Sequence, residues 1–445
     1  MESTYNTVIV GSGPAGLFCA GALAAGGREG ILILDGGRSM WVRHCPHSPA
    51  CSCRTCHVLE GEGGAGGFSD GKKTYSLTRG TQQEDLLDPT WEYLLNDIDV
   101  DIVRHSPSPG VMYTPREGSP PGLDLRGFSL SSYPLRHIGS DGVRGFIVSY
   151  TGMLRQLGVQ INLDSPVLTY SSGGDGDVIV RTSTGWARAR TLVLATGIQG
   201  WTWMEGCMAN RGIPMQTGPA SVGMRYETDS RWLAPLFDWF YDFKLERDGL
   251  RSFCANSGGK VINEHHRLLG VRCVNGESFL EPSLRTTRSN FAILAKINSD
   301  GDPKRVVRDI GRRVNALAAG QTAAQAATDF LEGKPSLSLP ARGTNTQAIP
   351  RVDIGEALPG ELRDRFRAYI EELEAVLKIP AGTATIYAPE VKYAGYRVPI
   401  DRATFRLLGE EGRVYVVGNA TGYLDSFVSA ALTGIIAAKD IMKES

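Results

Sequence analysis

The amino-terminal part of the chain carries a glycine-rich turn between an apolar segment and a helical pattern. The apolar residues 8–10 run directly into Gly11-Ser12-Gly13-Pro14-Ala15-Gly16, and residues 17–25 continue as a helical pattern. A second apolar segment, residues 31–34, ends at Asp35. A strand, a turn of this form, a helix and an acidic residue at this distance are together the fingerprint of a dinucleotide-binding β–α–β unit. The sequence therefore predicts an α/β chain that begins with such a unit.

Each glycine of this turn has its own physical role in the fingerprint. Gly11 allows the tight turn, Gly13 lets a pyrophosphate approach the backbone, and Gly16 lets the helix pack close to the strand. The helix N-terminus offers free N–H groups and the positive end of its dipole to the phosphates. An acidic side chain such as Asp35 accepts hydrogen bonds from an adenosine ribose. The predicted binding residues in this unit are Gly11, Gly13, Pro14, Ala15, Gly16, Asp35 and Gly36.

Length, charge and cysteine content narrow the class of protein. A chain of 445 residues is too long for one simple core, so we expect two interleaved domains. A net charge of -1 argues against nucleic acid or an anionic membrane as a partner. The apolar residues 427–438 are too few to span a bilayer, and a strand close to Met1 leaves no room for a signal peptide. Eight cysteines in a chain of this length do not suggest a secreted disulfide framework, so we expect a cytoplasmic protein.

Three segments typical of a dinucleotide-binding sheet are spread over the whole chain. They are the first unit, the apolar residues 191–194 with Ala195-Thr196-Gly197, and residues 413–417 with Gly418-Asn419. A nicotinamide dehydrogenase usually keeps these segments in one contiguous block. The scattered order instead resembles the FAD-binding domain of the glutathione-reductase type, in which a substrate domain is inserted between parts of the sheet. A second glycine fingerprint for NAD(P)H is missing after Ala195, so we do not expect a dedicated two-nucleotide reductase.

This resemblance implies a discontinuous Rossmann-like FAD-binding domain with an inserted α+β substrate domain. The FAD-binding parts would be residues 1–105, 126–200 and 381–445, and the substrate domain would be residues 201–380. By the same resemblance Val167 lies beside the adenine, and the Ala195, Thr196 and Gly197 segment passes under the dinucleotide. Gly418 and Asn419 reach the ribityl chain, although the family usually has Asp where this chain has Asn419. The helix that starts near Ser426, with Phe427 and Val428, directs its N-terminus at the flavin pyrimidine ring.

A second glycine-rich segment follows a stretch that is rich in cysteine. It reads Gly63-Gly64-Ala65-Gly66-Gly67-Phe68-Ser69-Asp70-Gly71-Lys72. Together with segments that begin at His137, Arg251, Val274, Ser289 and Pro389, it resembles the bacterial and archaeal "FAD-dependent dehydrogenase" group of NAD(P)/FAD-dependent oxidoreductases. The resemblance covers nearly the whole chain; it implies FAD binding and almost nothing about the substrate.

The same segment has a physical interpretation of its own as a second pyrophosphate cradle. Its small residues expose backbone N–H groups, and Lys72 or Lys73 can supply a cation. The alternative interpretation is a flexible surface loop. The residues predicted to form the cradle are Gly64, Ala65, Gly66, Ser69, Asp70 and Lys72.

The cysteine-rich stretch contains Cys45, Cys51, Cys53 and Cys56 and leaves three interpretations open. Four thiolates can hold zinc or an iron–sulfur cluster, and a Cys-x-x-Cys pair can exchange electrons with a flavin. The third interpretation is that these thiols pack a loop. The spacing is cramped and lacks two separated pairs, so we favour packing and assign no metal ligand.

Candidate catalytic side chains lie in the inserted segment and near the carboxyl terminus. Glu390 can serve as a general base, and a cation near the flavin, such as Lys392, Arg397 or Arg251, can anchor an anionic substrate. The alternative for Glu390 and Lys392 is an exposed strand of little importance. Further polar candidates in the inserted segment are Arg225, Asn256, Asn275, Ser278 and Asn290.

Other features receive structural interpretations. We interpret Ser140 or Asp141 as the N-cap of a helix over residues 142–157, and the pair His265-His266 as surface residues. Six aromatic residues can wall an apolar pocket, but such residues more often belong to the core. They are Trp201, Trp203, Trp232, Trp239, Phe240 and Tyr241.

These observations lead to one main functional hypothesis and several alternatives. The main hypothesis is an FAD-dependent oxidoreductase of the dehydrogenase or oxidase type, which transfers hydride between a small organic substrate and flavin N5. A related alternative is a reductase or monooxygenase that takes hydride from NAD(P)H. The near-neutral charge argues against an RNA-modifying flavoenzyme. A non-catalytic FAD-binding redox sensor that works through its cysteines is the last alternative. The oligomeric state stays open.

Overall fold

The computed structural model describes residues 2–45, 53, 55–78, 86–297, 301–340 and 349–443. Within these ranges the helices are α1 (Pro14–Ala25), α2 (Tyr93–His105), α3 (Gly139–Gln156), α4 (Trp201–Ala209), α5 (Ser230–Phe237), α6 (Pro303–Leu317), α7 (Ala327–Glu332), α8 (Gly360–Leu377) and α9 (Phe427–Lys443). The strands of the described part of the chain are β1 (Glu2–Val10), β2 (Ile31–Leu34), β3 (Lys72–Thr74), β4 (Met112–Tyr113), β5 (Ser129–Ser131), β6 (Leu135–His137), β7 (Gln160–Asn162), β8 (Val167–Ser172), β9 (Val178–Thr182), β10 (Gly185–Leu194), β11 (Ala220–Asp229), β12 (Lys244–Arg247), β13 (Leu250–Asn256), β14 (Lys260–His266), β15 (Val271–Glu277), β16 (Arg288–Ile297), β17 (Ala323–Ala326), β18 (Thr385–Tyr393) and β19 (Arg413–Val416).

The first sheet is built around a parallel core. Strands β7, β2, β1 and β10 follow one another in this order, and each pair is parallel. The last residues of β10 pair with β19 in parallel, whereas its first residues pair with β9 of the antiparallel β8–β9 hairpin. The three scattered segments predicted from the sequence therefore meet in one sheet. Their apolar residues are buried on both faces, as expected for a parallel sheet that is covered by other elements.

Helices α1 and α9 pack closely on each other beside this sheet. Gly434 in α9 allows the approach, because a Cβ atom there would lie 2.1 Å from the backbone oxygen of Ala15 in α1. The amino termini of both helices are thereby fixed at the carboxyl ends of the parallel strands β1 and β19. Ligands of open α/β sheets bind at this edge.

The second sheet is antiparallel throughout, in the order β17-β18-β11-β16-β13-β12-β5. Successive side chains of a strand point to opposite faces of its sheet. On one face Val222, Ile293 and Leu250 join a core that also contains residues of α5, α6 and α8. Their neighbours Ser221, Leu294 and Arg251 line a cleft on the other face. The hairpin β14–β15 stands apart as a two-stranded sheet and packs against β18 and α6.

The strands do not follow the predicted segment boundaries in two places. Strand β18 falls in the predicted FAD-binding segment 381–445, and β5 falls in segment 126–200, yet both pair within the second sheet. The apolar pattern of a segment predicts that it forms a buried strand, but it does not contain the identity of the partner strand. The chain therefore crosses between the two sheets more often than the resemblance implied.

Most predicted helices are confirmed within a few residues at their ends, but the predicted cap of α3 is wrong. Helix α3 begins at Gly139, and neither Ser140 nor Asp141 caps it through a side-chain bond. The Asp141 carboxylate instead accepts hydrogen bonds from the backbone N–H groups of Leu280 and Glu281, at 3.1 and 3.0 Å. These residues tie the start of α3 to the loop that follows β15. Among the described residues, no helix combines the length and the apolar character that a membrane span requires.

Candidate functional site

A cleft of about 1240 Å³ runs along the carboxyl ends of the parallel strands and continues over the open face of the second sheet. Most of the residues predicted to bind the cofactor line it: Gly11, Gly13, Pro14, Ala15, Asp35, Gly36, Gly64, Ala65, Gly66, Ser69, Asp70, Lys72, Val167, Ala195, Thr196, Gly197, Asn419 and Phe427. Gly16, Gly418 and Val428 lie behind this lining.

The first glycine turn has the geometry that its sequence predicts. Gly11 has φ +110°, and a Cβ atom there would lie 2.2 Å from the backbone oxygen of Ala195. A Cβ atom at Gly16 would lie 2.1 Å from the oxygen of Gly11, so this position also excludes a side chain. At Gly13 the nearest atom would be 3.9 Å away, which leaves the turn open toward the cleft. No side chain caps α1, so its first N–H groups face the cleft without a side-chain acceptor in the described structure.

Asp35 holds the turn in place from the end of β2. One carboxylate oxygen accepts from the backbone N–H and the hydroxyl of Ser12, at 2.8 and 2.7 Å, and the other accepts from the N–H of Gly37 at 2.8 Å. A carboxylate offers about four acceptor positions, so capacity remains on the cleft side. The predicted ribose ligand therefore also organises the backbone around it.

The second glycine-rich segment packs against the first. Gly64 has φ +56°, and a Cβ atom there would lie 3.1 Å from the Cα of Gly13. The buried guanidinium of Arg43 fixes the segment, because it donates to the backbone oxygens of His57 and Gly64 at 2.8 and 2.9 Å. Burial lowers the pKa of Arg43 to about 10, so the group stays charged at neutral pH. These contacts hold the segment against the first glycine turn, and its role as a pyrophosphate cradle stays a prediction.

The two lysines at the end of this segment have different surroundings. Lys72 lines the cleft, pairs with Asp70 at 3.3 Å, and donates to the side-chain oxygen of Asn256 at 2.7 Å. Lys73 is fully buried, with its Nζ atom 3.7 Å from the ring centre of Phe427 at the start of α9. Burial lowers the pKa of Lys73 to about 7. Lys72 is therefore the cation that reaches the cleft, and Lys73 lies behind its wall.

The middle of the cleft contains an unsatisfied polar atom and an open backbone position. The hydroxyl of Thr196 is buried and has no hydrogen-bond partner in the described structure. Gly197 has φ +63°, and a Cβ atom there would meet nothing within 4 Å. Asn419 lines the same region, but its side-chain oxygen accepts from Trp201 Nε1 at 3.1 Å and its amide donates to the oxygen of Leu424 at 2.7 Å. The cleft is thus polar and accessible where the resemblance places a ribityl chain.

The four predicted catalytic residues fall into two groups. Arg251 and Lys392 line the cleft, whereas Glu390 and Arg397 do not. Glu390 is buried and accepts two hydrogen bonds from the buried guanidinium of Arg225. This position does not fit a general base, because both carboxylate oxygens are bound to a cation inside the protein. Arg397 lies 5.0 Å from the ring centre of Tyr423, and its backbone bonds to Gln216.

A buried histidine–glutamate pair in the hairpin β14–β15 was missed by the sequence reasoning. His266 Nε2 lies 2.6 Å from Glu264 Oε1, and Asn275 donates to the other oxygen of Glu264 at 2.9 Å. The Tyr393 hydroxyl lies 3.3 Å from His266 Nδ1. His266 is only 3% exposed, so the prediction of a surface residue is wrong for it. All four side chains line the cleft.

The electrostatics of this pair favour an ionised carboxylate. Burial alone raises the pKa of Glu264, but the imidazole of His266 and the hydrogen bonds from His266 and Asn275 more than reverse this, so the pKa is lowered. With Nε2–H directed at Glu264, Nδ1 is left as the acceptor for the Tyr393 hydroxyl. The signal in the sequence is the spacing of Glu264 and His266, since residues i and i+2 of a strand share one face.

Two of the described cysteines of this stretch contribute to packing. Cys56 is buried in a small apolar cluster with Val58, Leu59 and Ile262, which Cys45 also contacts. Burial raises the pKa of Cys56, which disfavours the reactive thiolate. Cys51 lies outside the described residues. Among the residues that are described, no group of three or more His, Cys, Asp or Glu side chains is placed to hold a metal ion.

The polar and aromatic candidates of the inserted segment are mostly structural. Asn290 accepts from Arg225 at 2.9 Å, and the N–H of Ser278 donates to Ser140 at 3.2 Å. Of the six aromatic residues proposed as a pocket, Trp203 is the one that lines the cleft. Five further cleft residues were not singled out by the sequence reasoning: Tyr133, Lys244, Glu246, Phe253 and Lys296.

Comparisons with known proteins give distant similarities. No protein-family model matches the chain. An uncharacterised protein of Clostridium beijerinckii (strain ATCC 51743 / NCIMB 8052) is 23% identical over 485 residues, which cover 100% of this chain and 82% of that protein.

Three solved structures illustrate the similarity in shape. The 3-ketosteroid-delta4-(5alpha)-dehydrogenase from Rhodococcus jostii RHA1 has a TM-score of 0.47 at 14% identity, over 99% of this chain and 97% of that chain. Glycine oxidase from Geobacillus kaustophilus has a TM-score of 0.44 at 11% identity, over 99% and 95% of the two chains. CtdE in complex with FAD has a TM-score of 0.39 at 10% identity, over 98% and 83%. Similarities this distant assign neither a substrate nor a reaction to this chain.

Proposed function

We propose that this protein is an FAD-dependent oxidoreductase of the dehydrogenase or oxidase type that acts on a small organic substrate. One observation carries the proposal: a single cleft joins a dinucleotide-type glycine turn to the charged, open face of an antiparallel sheet. Its volume of about 1240 Å³ exceeds the typical upper limit of roughly 1,000 Å³ for a small-ligand site. Such a volume suits a large cofactor together with a substrate.

The residues along the cleft fit FAD in kind and in order. Gly11 and Gly13 leave backbone open where a pyrophosphate would bind, and the first N–H groups of α1 would face it. Asp35 retains acceptor capacity for a ribose, and Val167 would lie beside the adenine. The unsatisfied hydroxyl of Thr196 gives a physical reason to expect a polar ligand in the middle of the cleft. The start of α9 at Phe427 would face the far end of the cofactor.

The chemistry that FAD supplies when bound is the acceptance of a hydride from carbon. Removal of a hydride from a carbon that carries O–H or N–H also requires a group that takes the remaining proton. His266 can take it at Nδ1 through the hydroxyl of Tyr393, and ionised Glu264 keeps the imidazole oriented and stabilises its charged form. Glu264 and His266 on β14 and Tyr393 on β18 are all buried, which keeps the three groups away from bulk water. This assignment replaces Glu390 as the candidate base.

An anaerobic absorbance experiment tests the proposal. The purified protein should show the absorbance spectrum of oxidised flavin. The flavin should stay oxidised when NADH or NADPH is added, so the spectrum should not change. Rapid bleaching by either nucleotide would instead point to an NAD(P)H-dependent reductase or monooxygenase. A protein that neither retains nor takes up flavin would overturn the central proposal.

A further inference from the structure

A cluster of cations and one aromatic ring lies on the open face of the second sheet. Two cations approach the ring of Phe253: the guanidinium carbon of Arg251 lies 5.2 Å from the ring centre, and Lys392 Nζ lies 4.6 Å from it. Ser221 and Leu294, from the strands between them, complete the floor of this region of the cleft. An apolar surface bounded by cations suits a ligand that is apolar at one end and anionic at the other.

The two cations differ in how far the protein neutralises them. Lys392 pairs with Asp425 at 3.2 Å. Arg251 makes no ion pair within 4.0 Å among the described residues. The Arg251 guanidinium donates from Nη2 to the hydroxyl of Tyr133, at 2.9 Å. The Arg251 Nε atom is buried and has no hydrogen-bond partner in the same part of the chain. A buried donor left without a partner is costly, so Arg251 is arranged for an acceptor that the protein does not supply.

The other charges of this face do not cancel that excess. Lys244 is matched by Asp242 at 2.7 Å. Lys296 is exposed and, like Arg251, has no carboxylate at ion-pair distance in the described structure. Glu246 lies opposite Arg251 in the strand pairing and also lines the cleft, but the two side chains form no ion pair. Even with Glu246 counted against Arg251, the second cation Lys296 leaves this part of the face with one uncompensated positive charge.

We propose that Arg251 binds the carboxylate of the substrate, and that Phe253 and Leu294 contact its apolar part. This inference rests on the proposed function, because it names the substrate class of the same cleft: small carboxylic acids with an apolar body. A guanidinium presents parallel N–H donors that match a carboxylate in two bonds, which a single ammonium such as Lys392 cannot reproduce. The substrate carbon that loses hydride then lies on the apolar side of the anchored carboxylate.

Calorimetric titration of the purified holoprotein with benzoate and benzamide tests the inference. The two probes share an aromatic ring and a similar size and differ in charge. We expect benzoate to bind at least about tenfold more tightly than benzamide, the ratio expected for a charge-assisted pair. In Arg251→Gln this preference should disappear. The matched control is Arg365→Gln, which removes another cleft-lining arginine whose guanidinium is bound to the backbone oxygen of Asp248.

Several outcomes would overturn the inference. These are equal affinity for both probes, no binding of either, or an Arg251→Gln variant that retains the preference. Arg251→Lys guards against a folding defect, because it keeps the charge and should retain part of the preference with a normal thermal unfolding curve. A folded Arg251→Lys variant that does not favour benzoate would also count against the inference. The flavin spectrum is read separately: selective benzoate binding by a protein without flavin would sink the proposed function but not the carboxylate site.

Discussion

At the scale of single residues, side chains predicted to touch a ligand also hold the protein together. Asp35 binds Ser12 and Gly37, and Lys72 binds Asp70 and Asn256. A motif predicts which type of residue stands at a position. It does not show how the hydrogen-bonding capacity of that side chain is divided between the rest of the protein and a ligand. This division decides what a substitution does, because the same change then affects both binding and folding.

Gly11→Ala provides a test of the turn. A Cβ atom at 2.2 Å from the oxygen of Ala195, at a φ of +110°, forces the strands β1 and β10 apart. We expect a loss of about 1–3 kcal/mol in the free energy of unfolding, together with loss of bound flavin. The matched control is Gly152→Ala in α3, where a Cβ atom meets nothing within 4 Å and alanine should be neutral or stabilising. Urea unfolding measures the loss of stability, and flavin absorbance measures the loss of bound flavin. If the two variants behave alike, the conclusion that position 11 has no room for a Cβ atom is contradicted.

The Glu264–His266 pair predicts a pH dependence of stability. The pKa of Glu264 is lowered in the folded protein, so its contribution is present above the usual carboxyl pKa of 4.5 and is lost as pH falls through the folded value. Wild type should therefore lose more unfolding free energy than Glu264→Gln does between about pH 5 and about pH 3, a range that extends below that carboxyl pKa. Glu117→Gln, at an exposed glutamate, should follow wild type. Urea unfolding at each pH gives the free energy of unfolding. If this free energy falls equally with pH in wild type and Glu264→Gln, the pair does not contribute to the pH dependence of stability.

At the scale of elements, the start of α3 shows how a local pattern can mislead. A serine and an aspartate before a helical pattern predict a cap, yet Asp141 joins α3 to the loop after β15. In β14, the alternation that places Glu264 and His266 on one face was available in the sequence. What was missing was the knowledge that the hairpin folds over a cleft, because an isolated two-residue spacing fits an exposed strand equally well.

Asp141→Ser separates a capping role from a cross-linking role. Serine caps helices about as well as aspartate, but it cannot accept both backbone bonds from Leu280 and Glu281. We expect Asp141→Ser to lower the free energy of unfolding by about 1–2 kcal/mol. Asp229→Ser is the matched comparison, because Asp229 does cap α5 by accepting from the N–H of Arg231 at 3.1 Å. That variant should stay close to wild type in urea unfolding, whereas an equal loss in both would restore the capping interpretation.

At the scale of the whole molecule, the sequence predicts the first sheet far better than the second. The glycine turn and the apolar segments 8–10, 31–34 and 191–194 carry their own signals, since parallel strands buried on both faces read as apolar runs. Membership of β5 and β18 in the second sheet depends on partners far away in the chain, which no local pattern contains. The same holds for Glu390, whose pairing with Arg225 arises only when β11 and β18 meet.

Lys72 links its strand β3 to strand β13 of the second sheet beside the cleft. Its ammonium pairs with Asp70 and donates to Asn256 at the end of β13, and it is nearly fully buried. Lys72→Met leaves a buried carboxylate at Asp70 without its partner, so we expect a loss of about 3–5 kcal/mol in the free energy of unfolding and weaker flavin retention. The adjacent Lys73→Met removes a buried ammonium that has no carboxylate at ion-pair distance in the described structure, so it should be neutral or stabilising.

The double variant Lys72→Met/Asp70→Asn decides whether the charge pair or the packing causes the loss. Replacing both partners leaves no unpaired charge, so the double variant should regain much of the stability that Lys72→Met loses. Flavin retention should recover less, because the bond that links Lys72 in β3 to Asn256 in β13 beside the cleft is still missing. Urea unfolding and flavin release are measured on the same samples. Full recovery of both properties would mean that the bond to Asn256 does not hold the cleft together, and no recovery of stability would mean that Asp70 is not left unpaired by the single change.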